Sequence, residues 1–384
     1  MPSPLKTRLP PAIIEEVSKE LGWTIVNTPL PRRAGVLPAD DFAARGLIYT
    51  ANHPPLYYFL AGIFGRLVAL FTRDALPGFF YGARLLSAVL TAITVVLAFQ
   101  IAREFNLSAG ESAFIALLVM LQPQFMFISS SVNNDALTVT LFSLLVLFLI
   151  KETNASAPRI SIIVCGAVIG LGLLTKVTFW LSLPIAWFAF LAAAGESRPI
   201  MRQAARALSA TALGAAVSAW WYIRNLLIYG KVWYVIGGTG FGRATAAEFF
   251  SVSFFYRFLF RTYWGFFGWL TKPLPPVFYW VLLVVCLIGA AGFSLQILTV
   301  EKERRRGAVI AVAVISLFLG AILFRIVALT GQGRYLFPVI VPVTMLLWLG
   351  VKFWAKERYP WAAAMLLAFF AALTIEGLSL IAQL

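Results

Sequence analysis

From Leu56 nearly to the C-terminus, apolar runs follow one another at close intervals, and that succession leaves the chain few ways to fold. The runs fall at about 56–71, 79–102, 112–130, 136–150, 160–177, 178–194, 207–223, 277–298, 308–327, 335–351 and 360–381. Most approach the roughly 18–20 residues that cross a bilayer as a helix. Backbone in hydrocarbon must satisfy its own polar groups, so only helices and closed barrels can span. Hydrophobic residues make up 61% of the 384 positions and charged residues 12%, with 33 Phe and 12 Trp. That balance is foreign to a soluble domain and suits helices with aromatic belts better than alternating barrel strands. The sequence predicts an all-α fold: a polytopic transmembrane helical bundle of roughly ten spans plus interfacial helices. The first run, closed by Arg66 and Arg73, is expected to lie in the interface.

Residues 1–52 contain no spanning run and read as a polar arm, with a short amphipathic helix over Ile13 to Leu21, ahead of a membrane domain at 53–384. The junction is Asn52-His53-Pro54-Pro55-Leu56-Tyr57-Tyr58. Paired prolines can open a helix but cannot lie inside one, and tyrosines suit the level where hydrocarbon meets water. His53 is the single histidine, so it offers no metal site on its own, and a structural role competes with a functional one. Cys165 and Cys286 lie in apolar runs and read as packing residues. The net charge of +15 is distributed along the chain between apolar helices, which points to anionic lipid or a phosphorylated lipid and not to nucleic acid.

Basic loops set the orientation. If 79–102 runs inward, then Arg103, Lys151, Arg159, Arg198, Arg202, Arg206, Lys302, Arg304 to Arg306, Lys352, Lys356 and Arg358 all fall in the cytosol, as the positive-inside rule expects. The extracytoplasmic face then receives the arm, the Ser129–Asp135 turn, Lys176, a long outer loop at 224–276 and the Gly331–Phe337 turn. In Ser129-Ser130-Ser131-Val132-Asn133-Asn134-Asp135, the aspartate reads either as a helix cap or as a carboxylate able to orient an acceptor hydroxyl. Lys176 reads as a lysine reaching for the interface, but on the face that the rule depletes it calls for an anionic partner such as a lipid phosphate. Trp220-Trp221-Tyr222-Ile223-Arg224 is either an aromatic belt with a snorkelling base or part of an anion site. Arg257, Arg261, Lys272 and Arg334 add positive charge to the same face, and Tyr256, Phe260, Tyr263 and Trp264 between them suit lipid or a sugar ring. The stretch 249–270 is expected to form a re-entrant or interfacial helix.

Taken in order, several of these pieces resemble the motifs of GT-C membrane glycosyltransferases: His53–Tyr58, Arg84-Leu85-Leu86-Ser87-Ala88, Val132–Leu137, Gly172–Lys176, Trp220–Asn225 with Tyr229-Gly230, Trp264–Trp269 and Gln332–Pro338. The likeness covers nearly all of 53–340 and looks nearest the bacterial mannosyl- and aminoarabinosyl-transferring branch. It implies a multi-pass enzyme of the cell (inner) membrane. Such an enzyme moves a sugar from a polyprenyl-phosphate carrier to a hydroxyl of a glycan, lipid or protein acceptor on the extracytoplasmic face. Family members usually begin with a further membrane helix and an acidic loop. Here the arm offers Asp40 and Asp41 instead, and a chain truncated at its start is the simplest expectation. On this reading Asp135 is the leading catalytic carboxylate, with Asp41 and Asp40 behind it. Lys176, Arg224 and Arg334 would hold the phosphate, and His53, Tyr57 and Tyr263 would line the substrate path. No cofactor is required, and the chemistry is compatible with a divalent cation. The alternatives are a lipid-phosphate binder or flippase-like transporter, for which Glu376 is the clearest intramembrane carboxylate, and a structural subunit.

Overall fold

The computed structural model describes residues 53–153, 160–195, 198–230, 232, 255–268, 270–328 and 332–383. The chain divides into two units, a smaller one of residues 1–53 and 220–241 and a larger one of 54–219 and 242–384. The expected arm, with its amphipathic helix and with Asp40 and Asp41, lies outside the described residues. In the smaller unit, Asn225 Nδ2 donates to the Val232 carbonyl at 3.5 Å, closing the end of a long helix.

The larger unit is almost wholly helical, with the order α1 Leu56–Ala69, α2 Ala75–Glu104, α3 Ala109–Met120, α4 Pro123–Ser129, α5 Asp135–Glu152, α6 Ile160–Leu173, a 3₁₀ turn Val177–Leu181, α7 Ser182–Ala192 and α8 Ile200–Tyr229, whose last turns belong to the smaller unit. A π turn Phe255–Phe260 and α9 Arg261–Trp264 follow, then strands β1 Phe266–Phe267 and β2 Lys272–Pro273, α10 Pro276–Thr299, α11 Glu301–Ala328, a 3₁₀ segment Gly333–Val339, α12 Ile340–Ala355 and α13 Tyr359–Ile381. Local chemistry sets many of these starts. Pro55 caps α1, Pro123 and Pro276 open α4 and α10, and Ser108 with Glu111 forms a reciprocal capping box on α3. Instead of one interfacial helix over 249–270, the described part holds the π turn, one turn of α9 and a two-stranded hairpin pairing Phe266 with Pro273 and Phe267 with Lys272. Gly265 and Gly268 interrupt helical phasing there, the latter at φ 55°.

Among the described residues four helical runs are long and apolar enough to cross a membrane: Ala75–Glu104, Pro276–Thr299, Glu303–Leu323 and Gly333–Ile381. The α3–α4 pair, bent by 66°, passes the same test only when taken together, as one broken span or a re-entrant loop, so the count is four or five. This multi-pass count is smaller than the expected ten, for physical reasons. Helices α1, α6 and the stretch Val177–Ala192 are short, and α5, at 18 residues, carries Asp135, Lys151 and Glu152. Apolar length in sequence does not reveal such breaks.

The bend shows how one break is maintained. Pro123 has no amide hydrogen, and the Phe125 amide donates to the Gln122 side chain instead of to the Leu121 carbonyl. Thr374 Oγ1 on α13 takes over, 2.6 Å from Leu121 O, while Gln122 Nε2 donates to the Tyr263 carbonyl and Gln124 Oε1 accepts from the Phe266 amide at 2.7 Å. Two glutamines thus fasten the bend to the α9–β1 segment. Elsewhere α10 crosses α12 with almost no gap. A Cβ on Gly350 would lie 1.8 Å from the Gly289 carbonyl oxygen, so only glycine permits this approach.

Charge collects at the end where α2 and α5 finish. Glu104 lies 3.7 Å from Lys151 Nζ, and Arg306 Nη1 donates to the Glu104 carbonyl at 2.5 Å. Glu152 is wholly buried, held by Arg206 through Nη2 at 2.7 Å and Nε at 3.1 Å, with Arg198 3.9 Å away. Glu111 pairs with Lys352, whose ammonium sits 4.9 Å from the centre of the Tyr359 ring. These bases come from loops and helix ends far apart in sequence, and the folded bundle gathers them at one end.

Candidate functional site at the opposite end of the bundle

At the other end, the amide of Leu56 donates to the Leu174 carbonyl at 2.9 Å, tying the start of α1 to the exit of α6. Tyr57, one residue on, is fully buried, with its hydroxyl 2.7 Å from Ser87 Oγ on α2. This phenol lies beside the Asn133–Asp135 turn. Arg84 Nε secures the preceding residues by donating to the Ser130 carbonyl at 2.8 Å.

Asn133 Oδ1 accepts the Asp135 amide at 2.9 Å, so Asn133 satisfies the helix start and the Asp135 carboxylate is free for other work. That carboxylate forms an ion pair with Lys176 Nζ, the two side chains being 4% and 10% exposed. Lys176 sits in extended backbone, φ −156° and ψ 139°, between α6 and the following 3₁₀ turn, and Asn134 Nδ2 supports the same junction by donating to the Thr175 carbonyl at 3.4 Å. The anionic partner expected of Lys176 is thus a residue of the protein itself.

Tyr335 joins this pair to the Gly333–Val339 segment. Lys176 Nζ lies 5.6 Å and the Arg334 guanidinium carbon 5.8 Å from the centre of the Tyr335 ring, so one aromatic ring meets two cations. Arg334 Nε is buried and has no hydrogen-bond partner among the described residues. The segment is locked in place because the Gly333 amide donates to Thr262 Oγ1 at 2.5 Å and a Cβ on Gly333 would stand 2.2 Å from the Tyr263 amide nitrogen. Tyr263 is buried behind it, its ring 5.6 Å from that of Phe337 and 4.9 Å from that of Trp264.

Of the residues singled out in the sequence, Asp135, Lys176 and Arg334 converge on Tyr335, with Tyr57 beside the same turn and Tyr263 as packing beneath Gly333. His53 is half-buried just ahead of α1 and belongs to the smaller unit, as does Arg224, whose guanidinium lies 4.9 Å from the Trp221 ring centre and 3.0 Å from Asn225 Oδ1. Glu376 on α13 is half-buried and forms no ion pair among the described residues. Sequence reasoning left Ser87, Arg84 and Tyr335 without roles, although all three lie inside motifs it had marked. Their partners are 30 and 46 residues away for the first two, and only folding reveals them. Among the described residues no group of three or more His, Cys, Asp or Glu could hold a metal ion.

The fold of this helical bundle is similar to that of a solved membrane protein, ArnT. ArnT from Cupriavidus metallidurans, in the apo state, superposes with a TM-score of 0.51 at 18% identity over 81% of this chain and 52% of ArnT. The same enzyme bound to undecaprenyl phosphate gives 0.51 and 18% over 84% and 53%. The Archaeoglobus fulgidus oligosaccharyltransferase in its apo form gives 0.47 at 12% identity, over 84% of this chain and 46% of that one. The chain spans about half the length of the ArnT it matches. By sequence, residues 41–343 match the family model described as "Predicted membrane protein (DUF2142)", and the chain belongs to that family. No curated protein matches it.

Proposed function

We propose that this chain binds a polyprenyl-phosphate-linked sugar at the Asp135–Lys176–Tyr335–Arg334 constellation and passes the sugar to an acceptor hydroxyl at the extracytoplasmic face. The observation that carries the reading is the excess of positive charge there. Asp135 neutralises Lys176, yet Arg334, beside the same ring, keeps a buried Nε–H with no acceptor among the described residues. Such a donor calls for an anion, and a guanidinium suits phosphate. The GT-C fold, and the fact that ArnT has been solved with undecaprenyl phosphate, support the choice of a prenyl phosphate. The collection of bases at the opposite end supports placing that end in the cytosol, and α5 and the shorter apolar helices are taken as further membrane segments.

In the transfer step the acceptor oxygen bonds to the anomeric carbon as the bond from that carbon to the phosphate oxygen breaks. The acceptor proton passes to a carboxylate, and the prenyl phosphate leaves with the bonding pair. Arg334 and Lys176 would stabilise the charge growing on the departing phosphate. Asp135 is the described carboxylate best placed to take the proton, with Asp40 and Asp41 as further candidates. Tyr57 would orient the bound head group, and Tyr263 would line its approach.

A second reading has its own support. Lys176 occupies Asp135 Oδ1, and a carboxylate so engaged suits a protein that holds or moves the lipid phosphate without transferring sugar. The deciding experiment is transfer of labelled sugar from polyprenyl-phosphate donors to membrane acceptors. It compares the wild type with Asp135→Asn and Arg334→Gln, alongside binding of the phosphorylated lipid. Transfer abolished by both substitutions upholds the enzyme. Lipid binding lost with Arg334→Gln, in a protein that never transfers, replaces it with the binding reading.

A further inference from the structure

Arg257 and Arg261 fall four residues apart across the junction of the π turn and α9, and both line one cavity of about 300 Å³ with Phe258, Thr262, Phe266 and Leu270. Neither arginine has a carboxylate partner among the described residues. The Arg261 guanidinium carbon lies 5.1 Å from the centre of the Phe266 ring and 4.9 Å from that of Tyr279, with which it also forms a side-chain hydrogen bond, and its Nε is buried without a hydrogen-bond partner among the described residues. These contacts fix its position but do not satisfy that N–H. Arg257 is exposed, which places a second cation on the same cavity. The Thr262 hydroxyl is already used, accepting from Gly333 and donating to the Phe258 carbonyl, so the two guanidinium groups are the cavity's available polar donors. Its remaining walls are apolar, and Phe258 is 41% exposed beside them. Leu270 adopts φ 67° in the hairpin turn on the cavity wall, a conformation a leucine takes only where its surroundings impose it.

We propose that this cavity is a binding site for the phosphate head group of a bilayer glycerophospholipid, separate in its side chains from the Asp135–Lys176–Arg334 constellation. Two guanidinium groups without a carboxylate partner among the described residues match a phosphate monoester or diester, and the phenyl and leucyl walls suit an acyl chain, which a free inorganic ion does not need. The Thr262–Gly333 hydrogen bond makes the floor of this cavity the support of the Arg334 turn, so an occupied lipid site stiffens the neighbouring constellation.

The test is photolabelling of the purified full-length protein with phosphatidic acid carrying a diazirine on its acyl chain, the labelled peptide being identified by mass spectrometry. Label is expected within residues 255–272. It falls about tenfold in Arg261→Gln and in Arg257→Gln, since each removes charge-assisted hydrogen bonds. Arg257→Gln guards against misfolding, because that side chain is exposed. Unlabelled phosphatidic acid should compete, phosphatidylcholine of the same chains less well, and Lys176→Met should leave the label in place. Millimolar inorganic phosphate that removes the label as effectively as phosphatidic acid overturns the lipid assignment. Label that vanishes with Lys176→Met, or that settles outside 255–272, overturns the separate site. Sugar transfer is measured independently, so failure here leaves the proposed reaction standing.

Discussion

The Asp135–Lys176 pair offers the sharpest quantitative test. Both side chains are nearly inaccessible, 4% and 10% exposed, and they come from segments 41 residues apart. Removing one partner of a buried ion pair leaves the other charge desolvated and uncompensated, at a cost of about 3–5 kcal/mol, whereas replacing both with uncharged groups is close to neutral. Asp135→Asn and Lys176→Met should therefore each lower unfolding stability by that order, trimmed toward about 3 kcal/mol because Lys176 retains a little solvent. The double variant should recover most of the loss. The assay is reversible unfolding in mixed micelles, followed by tryptophan fluorescence and arranged as a double-mutant cycle. If the two single effects simply add in the double variant, the ion pair does not exist in the folded protein. Lys176 would then be a free cation, and the argument that Arg334 supplies the unbalanced charge would fall with it.

Three further outcomes are expected. Gly350→Ala places a methyl group against the Gly289 carbonyl and should separate α10 from α12, lowering stability by about 1–3 kcal/mol in the same unfolding assay. Tyr57→Phe leaves Ser87 Oγ unpaired and should lose about 1–3 kcal/mol, while Tyr57→Phe with Ser87→Ala should lose less than the two single effects combined, as thermal unfolding can measure. Glu152→Gln weakens the hold on Arg206 and Arg198 within a buried cluster and should destabilise by about 3–5 kcal/mol, readable as a lower folded yield in detergent.

The membrane class was legible because desolvation acts on every residue of an apolar run, so composition alone reports it. Span number was less so. Gln122-Pro123-Gln124 reads as part of one run, but the bend depends on Thr374 and Tyr263, far along the chain. The candidate site was half legible. Asp135 and Lys176 stand out as charges beside apolar helices, but their pairing is a tertiary fact, and in sequence each has an independent task. Arg261 was visible only as one base among several. Its significance comes from Phe266 and Tyr279 closing on it, which needs the hairpin that interrupts the expected interfacial helix. Arg224 looked equivalent to Lys176 and Arg334 in sequence, but its described contacts are with Trp221 and Asn225.

The bend at Gln122 also says something about how such a chain is made. The Leu121 carbonyl, deprived of its helical donor, is satisfied by Thr374, which the ribosome adds 253 residues later, and the Gln122 amide waits 141 residues for the Tyr263 carbonyl. Until those segments arrive, the bend holds polar groups that hydrocarbon cannot solvate, at a cost of several kcal/mol for each orphaned group. The kinked segment must therefore linger near water, or in the insertion machinery, while most of the chain is synthesised. Its final burial is a late event in biogenesis, and a nascent chain stopped before α13 would display an unfinished kink to the quality-control proteases of the membrane.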